Sequence, residues 1–297
     1  MSDVDLSTEE YERYREAGDI LATVLEAAAD RVTVGTSHLE VAEFAEELTE
    51  EEGAEPAFPV NISIDEEASH ATPARNDETE FEAGDLVCLD IGVHVDGWIA
   101  DAAVTVDLGD NRELVEAAEE ALEAAIDAVE PGAHTGEIGA EIQDVIEAYG
   151  FNPIVNLTGH GLEQYDAHTG PNVPNRAVES GVLLEPGDVL AIEPFATDGT
   201  GKVSEGQKTE IYSLEEERNV RNRQARALME DISASYDRLP FAARWFDGDR
   251  TDMLLRRLEQ QSVLRDYPVL KEDDGAMVSQ AEHTVIVTED GAEVTTR

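Results

Sequence analysis

The chain has 297 residues, of which 68 are acidic and 20 basic, giving a formal net charge of −48. Such a charge predicts repulsion of nucleic acid and anionic membranes in ordinary salt, and no apolar run reaches the length of a membrane span. Because the acidic residues are spread over the whole length, they favour a surface adapted to a salty cytoplasm over an acidic patch for one basic partner.

The first part of the chain predicts helices followed by strands. Residues 1–5 are acidic and carry no apolar signal region, which predicts a cytoplasmic protein. Apolar residues three and four apart predict helices over 9–30 and 38–52. Runs of Val, Ile and Leu predict strands over 59–64, 86–93 and 99–107. Asp96-Gly97 predicts a hairpin turn between the last two strands, which places Asp101 opposite Gly92, on the same face as Asp90.

The second part of the chain repeats the first. Residues 185–193 (EPGDVLAIE) match 82–90 (EAGDLVCLD), and 282–287 (EHTVIV) match 101–106 (DAAVTV). The same patterns predict helices over 111–129 and 136–149, and strands over 154–158, 188–195 and 282–288. Extra residues between the last two strands, roughly 214–265, have a helical composition. We therefore predict an α+β fold of two similar halves related by a pseudo-twofold axis, with a helical insertion.

Acidic residues recur at matched positions of the repeat. Glu193 corresponds to Asp90, and Glu282 corresponds to Asp101. In so acidic a chain a single carboxylate is ordinarily a surface residue, but four of them at matched positions in apolar strands would converge between the halves. Their mutual repulsion would be relieved by two divalent cations. His160, between two glycines, is a candidate ligand of the same site because imidazole binds transition metals.

Five segments carry a resemblance to a known family: 58–63 (FPVNIS), 89–97 (LDIGVHVDG), 156–160 (NLTGH), 191–195 (AIEPF) and 280–284 (QAEHT). They resemble the type II methionine aminopeptidases of archaea and eukaryotes, which have the pita-bread fold. The resemblance covers nearly the whole chain. It implies a catalytic domain of residues 1–212 and 273–297, and a helical insertion subdomain of residues 213–272.

The resemblance also implies the site and its chemistry. The metal ligands would be Asp90, Asp101, His160, Glu193 and Glu282, holding two divalent ions (Co, Mn, Fe or Zn) that activate a hydroxide. His70 and His168 would contact the substrate and take part in catalysis together with Glu193. Phe58 and Tyr267 would line the methionine pocket. The implied activity is removal of the initiator methionine from nascent proteins whose second residue is small, by a monomer that has the ribosome as a candidate partner.

Three alternatives stay open. A prolidase or Pro-specific aminopeptidase could share the fold, although those enzymes usually carry an added N-terminal domain that this chain has no room for. A second alternative is a binding protein of the same fold that has lost its metal ligands, which the five intact ligands and the charge oppose. The third is an acidic ribosome-associated factor with incidental metal binding.

Overall fold

The structure is a computed structural model that describes residues 5–248 and 250–297, so the first four residues of the predicted acidic N-terminus lie outside it. The described residues form six α-helices: α1 Glu9–Ala29, α2 His38–Glu51, α3 Arg112–Asp127, α4 Thr135–Ala148, α5 Arg223–Tyr236 and α6 Thr251–Glu259. The first four confirm the predicted helices to within two residues at each end. None of the described helices combines the length and the apolarity that a membrane crossing requires.

The strands are short except where the hairpin was predicted. In chain order they are β1 Glu55–Pro56, β2 Asn61–Ile64, β3 Glu67–Ser69, β4 Leu86–Val95, β5 Trp98–Asp107, β6 Asn152–Pro153, β7 Thr158–Glu163, β8 Asp166–Pro174, β9 Val189–Ile192, β10 Phe195–Thr197, β11 Ser204–Leu214, β12 Phe241–Ala242, β13 Leu264–Lys271, β14 Val278–Gln280, β15 His283–Val287 and β16 Ala292–Val294. The hairpin β4–β5 has the predicted register, with Gly92 opposite Asp101. Asp96 and Gly97 both have positive φ, as a two-residue hairpin turn requires.

Two predicted strands are wrong in their bounds. Residues 154–157 form a turn, and the strand begins only at Thr158. The side chain of Asn156 takes the place of a strand partner there, because its amide bonds both the N–H and the carbonyl of Val203. The strand predicted over 188–195 is broken after Ile192, where Pro194 has no N–H to continue the ladder. Its continuation, β10, belongs to a different sheet.

The two halves have separate apolar cores. In the first half α1 packs on β4 and β5, α2 packs on α1, β1 and β2, and every residue of β4 is buried. In the second half α3 and α4 pack on a five-stranded sheet with the order β16-β15-β9-β7-β8. The halves meet where Ala103 of β5 pairs with Glu282 through two backbone hydrogen bonds, of 3.0 and 3.3 Å. This junction confirms the predicted fold of two α/β halves and fixes where side chains from both can meet.

The insertion is helical only in part. It holds α5 and α6, but the range 214–265 also contains a single 3-10 turn at Ala243–Trp245, β12 and the first two residues of β13, so the helical prediction over 214–265 is wrong for these segments. Strand β13 pairs with β11 and with β3 of the first half, which joins the insertion to a common sheet. The boundary of this subdomain at residues 213–272 stays a prediction.

Candidate metal centre and substrate cavity

Four carboxylates reach the junction from four chain segments. Asp90 lies on β4 and Asp101 on β5, on the same face of the hairpin. Glu282 is placed beside β5 by its backbone pairing with Ala103, and Glu193 follows β9 at the strand break. The matched repeat positions therefore do converge.

A histidine and a glutamine complete this cluster. The Nε2 atom of His160 lies 3.9 Å from an oxygen of Asp101 and 3.7 Å from an oxygen of Glu193. Asp101, His160 and Glu282 each offer one ligand atom, and these atoms lie within 4.8 Å of one another. Gln280 donates a hydrogen bond of 3.0 Å to Glu282 and one of 3.5 Å to Asp90.

Burial makes this cluster electrostatically unfavourable without a cation. Desolvation raises the pKa of Asp90 to about 7. Desolvation and then the neighbouring carboxylates raise the pKa values of Asp101, Glu193 and Glu282 well above their usual range. Burial, followed by the charge of His168, lowers the pKa of His160 to about 3, so that the imidazole is neutral.

The donor set fits divalent cations. One buried oxygen of Asp90 and one of Asp101 have no hydrogen-bond partner among the described residues. Buried polar atoms ordinarily find a partner, and a carboxylate oxygen left without one is suited to a metal ion. Carboxylates with one neutral imidazole are the ligands that Mn, Fe, Co and Zn share. The five-ligand assignment stays a prediction that this geometry supports.

The cluster forms the inner end of a cavity of about 280 Å³. All nine residues singled out from the sequence line it: Phe58, His70, Asp90, Asp101, His160, His168, Glu193, Tyr267 and Glu282. The apolar side chains of Ile211 and Leu270 also line the cavity. The cavity is therefore acidic at one end and apolar along its side. A concave site with a few converging polar groups is typical of a small-ligand pocket.

The two other predicted histidines are neutral and face the cavity. The Nδ1 atom of His70 lies 3.3 Å from the carbonyl oxygen of Pro268. Because a carbonyl only accepts hydrogen bonds, Nδ1 carries the proton and Nε2 presents a lone pair. Burial lowers the pKa of His70 to about 4. The ring of His168 is centred 4.5 Å from that of His160, and the surrounding protein and then the charge of Arg265 lower its pKa.

Sequence reasoning assigned no role in the site to Gln280, Gly92 and Arg265. Gln280 stands within one of the matching segments, two residues before Glu282, so alternation along an extended chain could have placed it beside the carboxylates. Gly92 lies between Asp90 and the hairpin turn on the same face, and a side chain there would meet the ring of Phe58. Arg265 also lines the cavity. It stands two residues before Tyr267 on β13, so alternation along the strand could have placed both side chains on the same face.

Comparison with known proteins gives a consistent result. The family model of metallopeptidase family M24 matches residues 12–289. The methionine aminopeptidase of Archaeoglobus fulgidus is 53% identical over 286 residues, covering 96% of this chain and 98% of that protein. The methionine aminopeptidase of Methanocaldococcus jannaschii is 47% identical, covering 98% and 100%. The crystal structure of methionine aminopeptidase from Thermotoga maritima superposes with a TM-score of 0.73 at 26% identity, covering 99% of both chains.

Proposed function

This chain belongs to metallopeptidase family M24 and, within it, to the methionine aminopeptidases, and we propose that it removes the initiator methionine of new proteins in the cavity described above. It is a metal-dependent aminopeptidase with the pita-bread fold. The observation that carries the proposal is the convergence of three buried carboxylates, the partly buried Glu193 and His160 at the inner end of a cavity with apolar walls. The cavity therefore combines a cation-binding end with walls that can contact an apolar side chain.

The five converging side chains would hold the metal. Asp101, His160 and Glu282 would share one ion, since their ligand atoms already lie within 4.8 Å of one another. Asp90 and Glu193 bring the total to four carboxylates, a charge that suits two divalent ions. When bound, such ions lower the pKa of water and polarise the carbonyl group of the scissile peptide. The donor set admits Mn, Fe, Co and Zn alike.

The other residues would move protons and orient the substrate. Glu193, which lies at the strand break beside the metal ligands, would take up a proton and release it to the leaving amine. His168, at the exposed side of the cavity, would donate a hydrogen bond to the developing oxyanion. The Nε2 lone pair of His70 would accept a hydrogen bond from the scissile amide.

The walls of the cavity would select methionine. Phe58 and Tyr267 present aromatic rings, against which a thioether packs favourably. Ile211 and Leu270 provide further apolar surface for an unbranched side chain. A volume of about 280 Å³ is at the small end of ligand pockets. We therefore expect a small second residue in the substrate.

The test is release of methionine from Met-Ala-Ser in KCl with Mn²⁺, with Ala-Pro as the prolidase substrate. Glu193→Gln should abolish release, while Glu130→Gln, the same change at an exposed position outside the cavity, should not. Cleavage of Ala-Pro without release of methionine from Met-Ala-Ser would show that the protein is a prolidase instead. Bound metal and intact circular dichroism without cleavage of either peptide would leave a binding protein.

The remaining sequence-based expectations concern the setting of the enzyme. Adaptation to a salty cytoplasm, the monomeric state, the absence of nucleic-acid binding and a contact with the ribosome stay predictions. Sedimentation and circular dichroism across a series of KCl concentrations would test the first two.

A further inference from the structure

Arg265 is the one lysine or arginine among the described residues that line the cavity. It lies on β13 two residues before Tyr267, on the same face, and its guanidinium carbon is 5.0 Å from the centre of the Tyr267 ring. The side chain is exposed. Arg265 therefore stands at the solvent end of the cavity, held over an aromatic ring in a cation–π arrangement.

Arg265 forms no salt bridge with a described carboxylate of its own chain. No described carboxylate forms a salt bridge with Arg265, although the chain has 68 acidic and only 20 basic residues. Six arginines are each paired with a carboxylate, namely Arg13, Arg15, Arg112, Arg218, Arg244 and Arg297. Others, such as Arg256, are also without a salt bridge, but among the described residues only Arg265 is an arginine that lines the cavity. The guanidinium group of Arg265 is thus free to bind an anion from outside the chain.

Its position relative to the histidines places it on the substrate side. The charge of Arg265 contributes to the lowered pKa values of both His70 and His168. The ring of His70 lies 5.4 Å from that of Tyr267, so Tyr267 contacts both the partly buried His70 and the exposed Arg265. The four carboxylates lie at the other end, and bound cations would neutralise them, leaving Arg265 as the basic side chain that lines the mouth, with the carboxylate of Asp166 as an opposing charge near His168.

We propose that Arg265 binds a carboxylate in the first few residues after the cleaved bond, so that acidic N-terminal segments are the preferred substrates. This inference rests on the proposed function, in which the substrate methionine occupies the inner end and the following residues leave through the mouth. A guanidinium group matches the geometry of a carboxylate in a two-point hydrogen bond.

The experiment compares Met-Ala peptides that carry Asp, Asn or Lys at the third, fourth or fifth position. For wild type, we expect kcat/KM to be about two- to fivefold higher with Asp than with Lys at one of these positions, as for an exposed ion pair. The difference should lie in KM, with kcat unchanged, because Arg265 contacts the substrate away from the cleaved bond. Arg265→Gln should lose the preference and Arg265→Lys should keep part of it.

Arg256→Gln is the matched control, since it removes the same charge from an exposed position on α6, outside the cavity. It should keep the wild-type preference. Assays run from the lowest KCl concentration that preserves the circular dichroism spectrum should show the preference shrinking as salt rises. An equal Asp-to-Lys ratio in wild type and Arg265→Gln would overturn the inference. Failure to release methionine from any peptide would instead refute the proposed function.

Discussion

Gly92→Ala is expected to damage the methionine pocket without touching a metal ligand. Gly92 lies on β4 opposite Asp101, and its backbone is not in the left-handed region, so alanine can adopt the same conformation. A Cβ atom at this position would lie 2.1 Å from Cε1 of Phe58. Carbon atoms in contact prefer a separation of about 3.5–4.0 Å, so the ring would have to move by about 1.5 Å.

The cavity is the free space into which this ring can move. Phe58 is 8% exposed and otherwise packs in an apolar cluster with Ala57, Ile99 and Leu239. Protein interiors are close-packed, so these neighbours cannot yield cheaply. Overpacking of this kind costs about 1–3 kcal/mol. If the cost falls on methionine binding, kcat/KM drops by about five- to 150-fold.

The assay is the kcat/KM of Gly92→Ala with Met-Ala-Ser, together with its metal content. We expect a loss of activity at unchanged metal content, and partial recovery in the double variant Gly92→Ala with Phe58→Leu. Phe58→Leu alone is the control for the smaller side chain. Two results would refute the idea that Gly92 leaves the space that the Phe58 ring occupies. One is wild-type activity of Gly92→Ala, and the other is a double variant whose kcat/KM is no higher than that of Gly92→Ala.

Two further predictions concern stability. The pKa of Asp90 is raised from its unfolded value, so the metal-free folded state binds more protons, and its stability should fall as pH rises from about 4 to 7. In chelator, Asp90→Asn should therefore be more stable than wild type at pH 7 in urea unfolding, and a less stable variant would contradict this. Arg244, whose side chain is 4% exposed, pairs with Glu46, so Arg244→Ala should cost about 3–5 kcal/mol because it leaves a buried charge. The double variant with Glu46→Ala should lose less, and an equal or greater loss would argue against the pairing.

The hairpin shows what the sequence could predict well. Two residues, Asp96 and Gly97, fix the turn, and the turn fixes the register of every pair along β4 and β5. Asp90 and Asp101 were therefore placed on one face from local information alone. The four helices of the two halves could likewise be predicted from local sequence, because the spacing of apolar residues determines which side of a helix is buried.

The errors lie where side chains or proline interrupt a strand. Asn156 bonds the backbone of Val203, which is distant in sequence, and so replaces a strand pair with a turn. Pro194 ends the ladder beside Glu193, although the surrounding residues have strand composition. Both interruptions place residues of the candidate site at bends. Arg265 was missed for a related reason, because its position at the cavity mouth depends on the pairing of β13 with β11.

The geometry of the junction does not depend on attraction among the charges it holds. Thr284 accepts a hydrogen bond from the N–H of Asp101 and donates one to its carbonyl oxygen, both of 2.8 Å. Together with the backbone pairing of Ala103 and Glu282, these neutral hydrogen bonds hold Asp101 and Glu282 in place from the two halves. The apolar cores behind them supply the stability that four crowded carboxylates would oppose. The fold can therefore keep the ligands close before a cation arrives, and cation binding then relieves a repulsion that is already present.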